Sequence, residues 1–303
     1  MKLALEIINL TKSYGNVKVL NGINLSVKEG EFVALLGVNG AGKTSMISSI
    51  AGNNKFQGLI KVNGYDVIKQ TYKAKINLGV VPQELAFDPF LNVYETLVFS
   101  SGLYGVTNNK KWLDEILERL HLSDKRNMST RQLSGGMKRR LLVAQALAHR
   151  PKTIILDEPT AGVDVELRKD LLNFILELNQ KGFTILLTSH YLEELEKLCK
   201  HVIIIDKGNI IADTNIKKLI ENLNQYRDIT IISEDNSFGE KLNNFIIQKN
   251  DNSYNLRIKN IDELYTIFNI LKNSNIDINI NNIIMNNCSL EEVFLRYVRG
   301  RNK

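Results

Sequence analysis

The chain has 303 residues, of which 44% are hydrophobic and 24% charged, as in an ordinary globular protein with one large domain or two smaller ones. Its net charge is only +6, and basic and acidic residues are mixed along the chain, so we expect no dedicated nucleic-acid-binding arm. No stretch reaches the roughly 20 apolar residues that span a bilayer, and Cys199 and Cys288 lack the spacing of a metal or redox pair.

The first informative stretch is a predicted buried strand, 31–36, followed by a glycine-rich loop and a predicted helix, 43–51. The loop reads Gly37-Val38-Asn39-Gly40-Ala41-Gly42-Lys43-Thr44 and satisfies the phosphate-loop pattern in its required strand-to-helix context, although a plain glycine-rich turn is the alternative. Its backbone N–H groups can surround a phosphate, Lys43 can reach the β- and γ-phosphates, and the Thr44 hydroxyl can bind Mg²⁺.

A mainly helical stretch follows, about 84–150, with predicted helices over 93–104 and 110–120. The second has one apolar face, formed by Leu113, Ile116, Leu117 and Leu120. Ser134-Gly135-Gly136 then opens a helical run over 137–149, where free N–H groups favour an anion. The basic residues Lys138, Arg139 and Arg140 occupy one turn of this helix, and we expect them to form a solvated face.

Two more buried strands are predicted over 153–156 and 184–187. Asp157 and Glu158 come directly after the first, at the strand end where open α/β sheets bind ligands. There Asp157 can hold Mg²⁺, and Glu158 can deprotonate an attacking water. His190 follows the second strand. The chain continues with a predicted helix over 191–200, with Leu192, Leu195 and Leu198 facing inward, and a hairpin with strands 202–205 and 210–211.

The composition changes after residue 222, where the chain becomes rich in Asn and Ile. We therefore expect two domains, 1–222 and 223–303. The second is predicted to be a small α+β appendage with helices over 261–271 and 290–298 and a half-exposed strand over 276–281.

In this order, these motifs resemble the nucleotide-binding subunit of an ATP-binding-cassette (ABC) transporter, over residues 1 to about 220. The resemblance implies an α/β, P-loop NTPase fold: a RecA-like core with an N-terminal antiparallel β-subdomain and a helical insert. It assigns hydrolysis to Glu158, the switch histidine His190 and the Q-loop residue Gln83, and Mg²⁺ to Thr44, Asp157 and Gln83. It assigns ATP binding to Tyr14, which would stack on adenine, and to Gly37, Asn39, Gly40, Ala41, Gly42, Lys43, Thr44, Ser45, Ser134, Gly135, Gly136 and Asp164.

In this family the Ser134-Gly135-Gly136 element would complete the ATP site of a second copy, so the resemblance implies a homodimer. The segments 133–141 and 161–164 are similar to the ABC-2 type exporter branch. The resemblance implies ATP and Mg²⁺ as cofactors, a separate transmembrane permease, and a peripheral place at the cytoplasmic face of the inner membrane. Because residues 1–10 lack an apolar core and the charges are mixed, we expect no signal peptide and no nucleic-acid partner. The alternatives are a soluble ABC ATPase acting on ribosomes, DNA or iron–sulfur assembly, and a non-hydrolysing nucleotide-gated scaffold.

Overall fold

The computed structural model describes residues 2–84, 87–223, 227–232, 242–250, 253–258, 261–273, 283–286 and 289–299. The chain forms two compact units, Met1–Thr214 and Asn215–Lys303. The sequence placed the boundary after residue 222, but the helix Ile216–Leu223 lies in the second unit, where it packs against the helix Leu290–Arg299. Within the described part of the chain, every helix is too short or too polar to cross a membrane.

The elements predicted in this unit are found with their ends shifted by a few residues, and the structure adds strands and helices that were not predicted. In chain order they are β1 (Leu3–Tyr14), β2 (Val17–Lys28), β3 (Phe32–Leu36), α1 (Lys43–Ile50), β4 (Gln57–Val62), β5 (Tyr65–Asp66), α2 (Thr71–Ile76), β6 (Leu78–Val81), α3 (Val93–Gly102), α4 (Lys110–Arg119), α5 (Gly135–Leu147), β7 (Thr153–Asp157), α6 (Val165–Gln180), β8 (Thr184–Thr188), α7 (Leu192–Leu198), β9 (His201–Asp206) and β10 (Asn209–Asn215).

Two sheets form the core of this unit. Strands β2-β1-β4-β5 make an antiparallel sheet, and β10-β9-β3-β8-β7-β6 make a second sheet in which β9, β3, β8, β7 and β6 run parallel. A hydrophobic cluster joins them to α1, with Ile7 from β1, Leu35 from β3 and Met46 from α1 all nearly inaccessible to solvent. Because β3, β6, β7 and β8 are parallel, their carboxyl ends meet at one edge, and the segments that follow them are brought together there.

The helical insert consists of α3, α4 and α5. Asn92 and Glu95 form a capping box that satisfies free N–H groups at the start of α3. The predicted apolar face of α4 is confirmed, since Leu113, Ile116 and Leu117 are at most 1% exposed. In α7, Leu195 is fully buried, whereas Leu192 and Leu198 are only partly buried.

The second unit contains α8 (Ile216–Leu223), β11 (Arg227–Ile232), β12 (Ile246–Asn250), β13 (Ser253–Ile258), α9 (Ile261–Asn273), β14 (Ile283–Asn286) and α10 (Leu290–Arg299). Its strands form an antiparallel sheet in the order β12-β13-β11-β14. Tyr254, Leu256 and Ile258 alternate inward from β13 and pack with Ile267 and Leu271 of α9. Both predicted helices are confirmed, and the predicted strand over 276–281 lies outside the described residues.

Candidate functional site

The phosphate loop connects the buried strand β3 to α1. Close packing or an unusual backbone conformation requires glycine at several of its positions. A Cβ at Gly37 would lie 2.5 Å from the carbonyl oxygen of Ile205. Gly40 and Gly42 have φ angles of +80° and +112°, a region that side chains other than glycine rarely adopt. The backbone is therefore shaped so that its N–H groups can face an anion at the start of α1.

Lys43 begins α1 and reaches back over the loop. Its Nζ donates to the carbonyl oxygens of Gly37 at 2.6 Å and Val38 at 3.2 Å. Partial burial lowers the pKa of Lys43, and the nearby carboxylates of Asp157 and Glu158 oppose that shift. The ammonium thus lies between the loop and the carboxylates, where the terminal phosphates of a nucleotide would come.

Asp157 ends β7 and is only 2% exposed. Its Oδ1 accepts a 2.6 Å hydrogen bond from the Thr188 hydroxyl, and its Oδ2 lies 3.5 Å from the Oγ1 of Thr44. Hydroxyl and carboxylate oxygens are the ligands that Mg²⁺ prefers, usually with few protein ligands alongside water and phosphate oxygens. Thr44 and Asp157 therefore fit Mg²⁺.

Glu158 follows with a φ of +53°, in the left-handed region that costs a non-glycine residue about 1–2 kcal/mol. Its N–H donates to the hydroxyl of Thr188 at 2.9 Å and to the carbonyl oxygen of the same residue at 3.2 Å. Its Oε1 lies 2.7 Å from the Nε2 of His190. The Glu158 side chain is 15% exposed and that of His190 59%, so the carboxylate is sheltered but reachable. Strain at a shielded, paired carboxylate is typical of a catalytic position.

Arg139 and Arg140 do not form a solvated face, and the prediction for them was wrong. They are 2% and 5% exposed, respectively. The guanidinium of Arg139 donates to the carbonyl oxygens of Pro82, Gln83, Asp157 and Glu158. Because the segments after β6 and β7 cover this side of α5, their unpaired carbonyls take up the donors that water would otherwise satisfy.

Arg140 is buried for a different reason. Its Nη1 donates to the carbonyl oxygens of Leu120 at 2.6 Å and His121 at 3.0 Å, just after α4. The last carbonyls of a helix have no partner within the helix, and a basic side chain satisfies them well. Arg140 therefore holds α4 to α5 inside the helical insert.

Ser134 caps α5, and its Oγ accepts from the N–H of Met137 at 3.3 Å. Ser134 and Gly135 are exposed, whereas Gly136 packs on the segment after β7: a Cβ there would lie 3.0 Å from the carbonyl oxygen of Gly162. The exposed Asp164 lies nearby at the N-cap position of α6, where its side chain makes no capping hydrogen bond. The Ser134-Gly135-Gly136 element and Asp164 thus present themselves at the surface, as a contact with a second molecule would require.

Tyr14 and Gln83 lie at the surface. Tyr14 ends β1 and is 53% exposed, so its ring is accessible to a ligand, although the Lys12 ammonium lies over the ring 4.5 Å from its centre. Gln83 follows β6, is exposed, and is held through its carbonyl oxygen by Arg139.

Sequence reasoning missed Arg139 and Thr188. Thr188 pairs with Asp157 in the register of β7 and β8, so a hydroxyl at the end of the adjacent parallel strand was the available signal. The sequence contained no signal for the burial of Arg139, because its partners are backbone carbonyl groups, which every residue has.

Known proteins match this chain over the same elements. The sequence model of the ABC transporter family matches residues 20–161. The linearmycin resistance ATP-binding protein of Bacillus subtilis is 44% identical over 211 residues, 69% of this chain and 68% of that one. The Nod factor export ATP-binding protein I of Burkholderia orbicola is 38% identical over 217 residues, 71% of each chain. A solved dimeric ATP-binding cassette in a post-hydrolysis state with ADP and Pi has a TM-score of 0.64 and 25% identity, covering 70% of this chain and 98% of that one.

Proposed function

Because the chain belongs to the ABC transporter family, we propose that it is the ATP-binding and ATP-hydrolysing subunit of an ABC-2 type exporter. It couples ATP-driven dimerisation to the export of a substrate by a separate transmembrane subunit. The relatives support export as the direction of transport, since the one from Bacillus subtilis is named for linearmycin resistance and the one from Burkholderia orbicola for Nod factor export. The observation that best supports ATP hydrolysis is the contact of Glu158 Oε1 with His190 Nε2 at 2.7 Å. The Glu158 carboxylate is largely buried and lies close to Lys43 of the phosphate loop.

Each site residue has an assigned role in this proposal. The phosphate loop and Lys43 hold the β- and γ-phosphates, and Tyr14 stacks on adenine. Thr44 and Asp157, with Gln83, hold Mg²⁺, which when bound neutralises charge on the phosphates. Glu158 accepts a proton from the water whose oxygen attacks the γ-phosphorus, while the bond to the β–γ bridging oxygen breaks. His190 contacts the γ-phosphate and orients the Glu158 carboxylate.

A second copy of the chain completes each site. The exposed Ser134-Gly135-Gly136 element and Asp164 contact the nucleotide held by the partner, so two ATP molecules join two subunits around a two-fold axis. The dimeric cassette among the solved structures supports this arrangement. Loss of the γ-phosphate contacts lets the subunits separate, and the helical insert transmits that motion to a permease at the cytoplasmic face of the membrane.

The test is to capture the permease. Tagged Glu158→Gln protein is purified from its native membranes in mild detergent with ATP, and the co-purifying chains are identified by mass spectrometry. We expect a stoichiometric polytopic membrane protein to co-purify with Glu158→Gln. The control is Lys43→Ala protein, which does not form the ATP-bound state and is purified in the same way. Recovery of ribosomes, DNA or iron–sulfur assembly proteins without a membrane chain would contradict the exporter proposal and leave the site assignments in place.

A further inference from the structure

One buried guanidinium joins three segments at the candidate site. The Nε of Arg139 donates to the carbonyl oxygen of Glu158 at 2.9 Å, and its Nη1 donates to those of Pro82 at 2.8 Å and Gln83 at 2.9 Å. Its Nη2 donates to the carbonyl oxygens of Asp157 and Glu158. These acceptors lie just after β6 and at the end of β7, whereas Arg139 lies in the second turn of α5. The side chain therefore ties the helical insert to two segments of the catalytic core.

Only arginine suits this position. Its planar group has five N–H donors in a fixed fork and stays charged, whereas lysine has three donors at one point and cannot span four carbonyl oxygens. Burial lowers the pKa of Arg139, and the charges of Asp157 and Glu158 act in the opposite sense. A cation held at 2% exposure by carbonyl groups is costly unless each donor is satisfied, so the geometry around it is narrowly defined.

Arg139 binds the peptide group that follows the Glu158 Cα, and Thr188 binds the peptide group that precedes it. The Glu158 N–H donates to the Thr188 hydroxyl at 2.9 Å, and the Glu158 carbonyl oxygen accepts from Arg139. Between these two anchors the residue keeps its φ of +53°, which directs the carboxylate to the 2.7 Å contact with His190. Without the Arg139 anchor, relaxation of this strained φ would move the carboxylate away from His190.

We propose that Arg139 is a positioning residue for ATP hydrolysis. It fixes the peptide of Glu158 and the backbone of Gln83 relative to the helix that starts at Ser134, so that a tilt of the helical insert displaces the catalytic carboxylate. This inference rests on the proposed role of Glu158 as the base. Nucleotide binding depends on the phosphate loop, so the expected effect falls on kcat and not on the affinity for ATP.

Arg140 provides a matched control. It is the adjacent arginine on the same helix and is almost as buried, but its bonds to Leu120 and His121 stay within the helical insert. In the full-length chain we expect Arg139→Gln to lower kcat by about 100-fold, as for a misplaced catalytic group. Arg140→Gln should lower the melting temperature while keeping kcat. Arg139→Lys keeps the charge but not the fork, so its kcat should also be reduced and its ATP affinity retained.

A double-mutant cycle separates positioning from a general loss of structure. If Arg139 acts through Glu158, Arg139→Gln should lower the residual turnover of Glu158→Gln little or not at all. Hydrogen exchange should also rise over 82–84 and 157–160 in Arg139→Gln, and not in Arg140→Gln. The inference is overturned if Arg139→Gln keeps wild-type kcat, if both arginine variants lose kcat in proportion to their melting temperatures, or if the two substitutions are additive. Full turnover by Glu158→Gln alone would instead refute the proposed function.

Discussion

Lys43 lies where two influences meet, because burial disfavours its charge and the carboxylates of Asp157 and Glu158 favour it. We expect Lys43→Ala to weaken ATP binding about tenfold or more, because a charge-assisted hydrogen bond to the phosphates is lost. Equilibrium titration with a fluorescent ATP analogue measures this. The control is Lys61→Ala, which removes the same charge from a surface pair with Glu6 on the antiparallel sheet. Equal affinity in the Lys43 variant and the wild type would refute the phosphate-loop assignment.

Glu158 is the proposed general base for ATP hydrolysis. Glutamine has the same shape, so Glu158→Gln preserves the backbone bonds to Thr188 and Arg139 but cannot accept a proton. We expect ATP binding to be retained and turnover to fall by about 10² to 10⁴, the usual contribution of a general base. Phosphate release under saturating ATP is the measurement, with the exposed Glu166→Gln as control. A Glu158→Gln protein that turns over normally would exclude Glu158 as the base.

Strand register decides which of these residues can cooperate. Asp157 of β7 lies opposite Thr188 of β8, and the parallel strand β3 delivers the phosphate loop to the same edge. Because side chains alternate along a strand, a shift of one residue between β7 and β8 would turn the Asp157 carboxylate away from the Thr188 hydroxyl. The packing of parallel strands thus converts separate sequence motifs into one site.

A buried histidine just after α5 makes the stability of the protein depend on pH. His149 is 5% exposed, stacks on Tyr104 with ring centres 3.8 Å apart, and has its Nε2 3.2 Å from the carbonyl oxygen of Leu78. Burial lowers the pKa of His149 from 6.5 to about 4, while the nearby carbonyl oxygens oppose that shift. The folded protein therefore keeps this ring neutral over a range in which the unfolded chain protonates it.

Stability should consequently fall as the pH drops from about 6.5 to about 4, because the unfolded state gains a proton there that the folded state does not bind. At pH 5 the loss is roughly 2 kcal/mol for this group. We expect His149→Gln, which does not titrate, to lose less stability between pH 7.5 and pH 5 than the wild type. Denaturant unfolding at both pH values measures the difference. Identical losses in the two proteins would contradict the assignment.

In the whole molecule, each copy is expected to carry two halves of different sites. In the proposed dimer, the phosphate loop of one copy would hold a nucleotide, and the exposed Ser134 of that copy would contact the nucleotide of its partner. We expect Ser134→Arg and Lys43→Ala each to be inactive alone and active when mixed, because the mixed dimer contains one site built from two unaltered halves. Phosphate release from the mixture is compared with the sum of the separate proteins. No gain on mixing at concentrations where dimers form would contradict a site shared between copies.

The local pattern of the chain was sufficient to predict part of the elements, among them β3, α4 and α5, and to find the motifs. Short segments of sequence were enough to predict the buried strand before Gly37, the apolar face of α4 and the carboxylate pair at the end of β7. Hydrophobic periodicity and turn residues depend on only a few neighbouring residues. The family resemblance followed from the order of those motifs. The boundary between the compact units, by contrast, lies between residues 214 and 215, because α8 packs against α10 within the second unit. The residues next to α8 in the sequence do not indicate that contact.

Contacts between distant residues had to come from the folded chain. Nothing in Lys138-Arg139-Arg140 distinguishes an arginine that binds four backbone carbonyl groups from one that faces water. The difference arises because the segments at the ends of β6 and β7 pack on α5, where their backbone carbonyl oxygens accept hydrogen bonds from Arg139. The same holds for Thr188, whose hydroxyl reaches Asp157 only through the register of two parallel strands. Backbone acceptors carry no sequence signature, so partners such as these become visible only when the chain is packed.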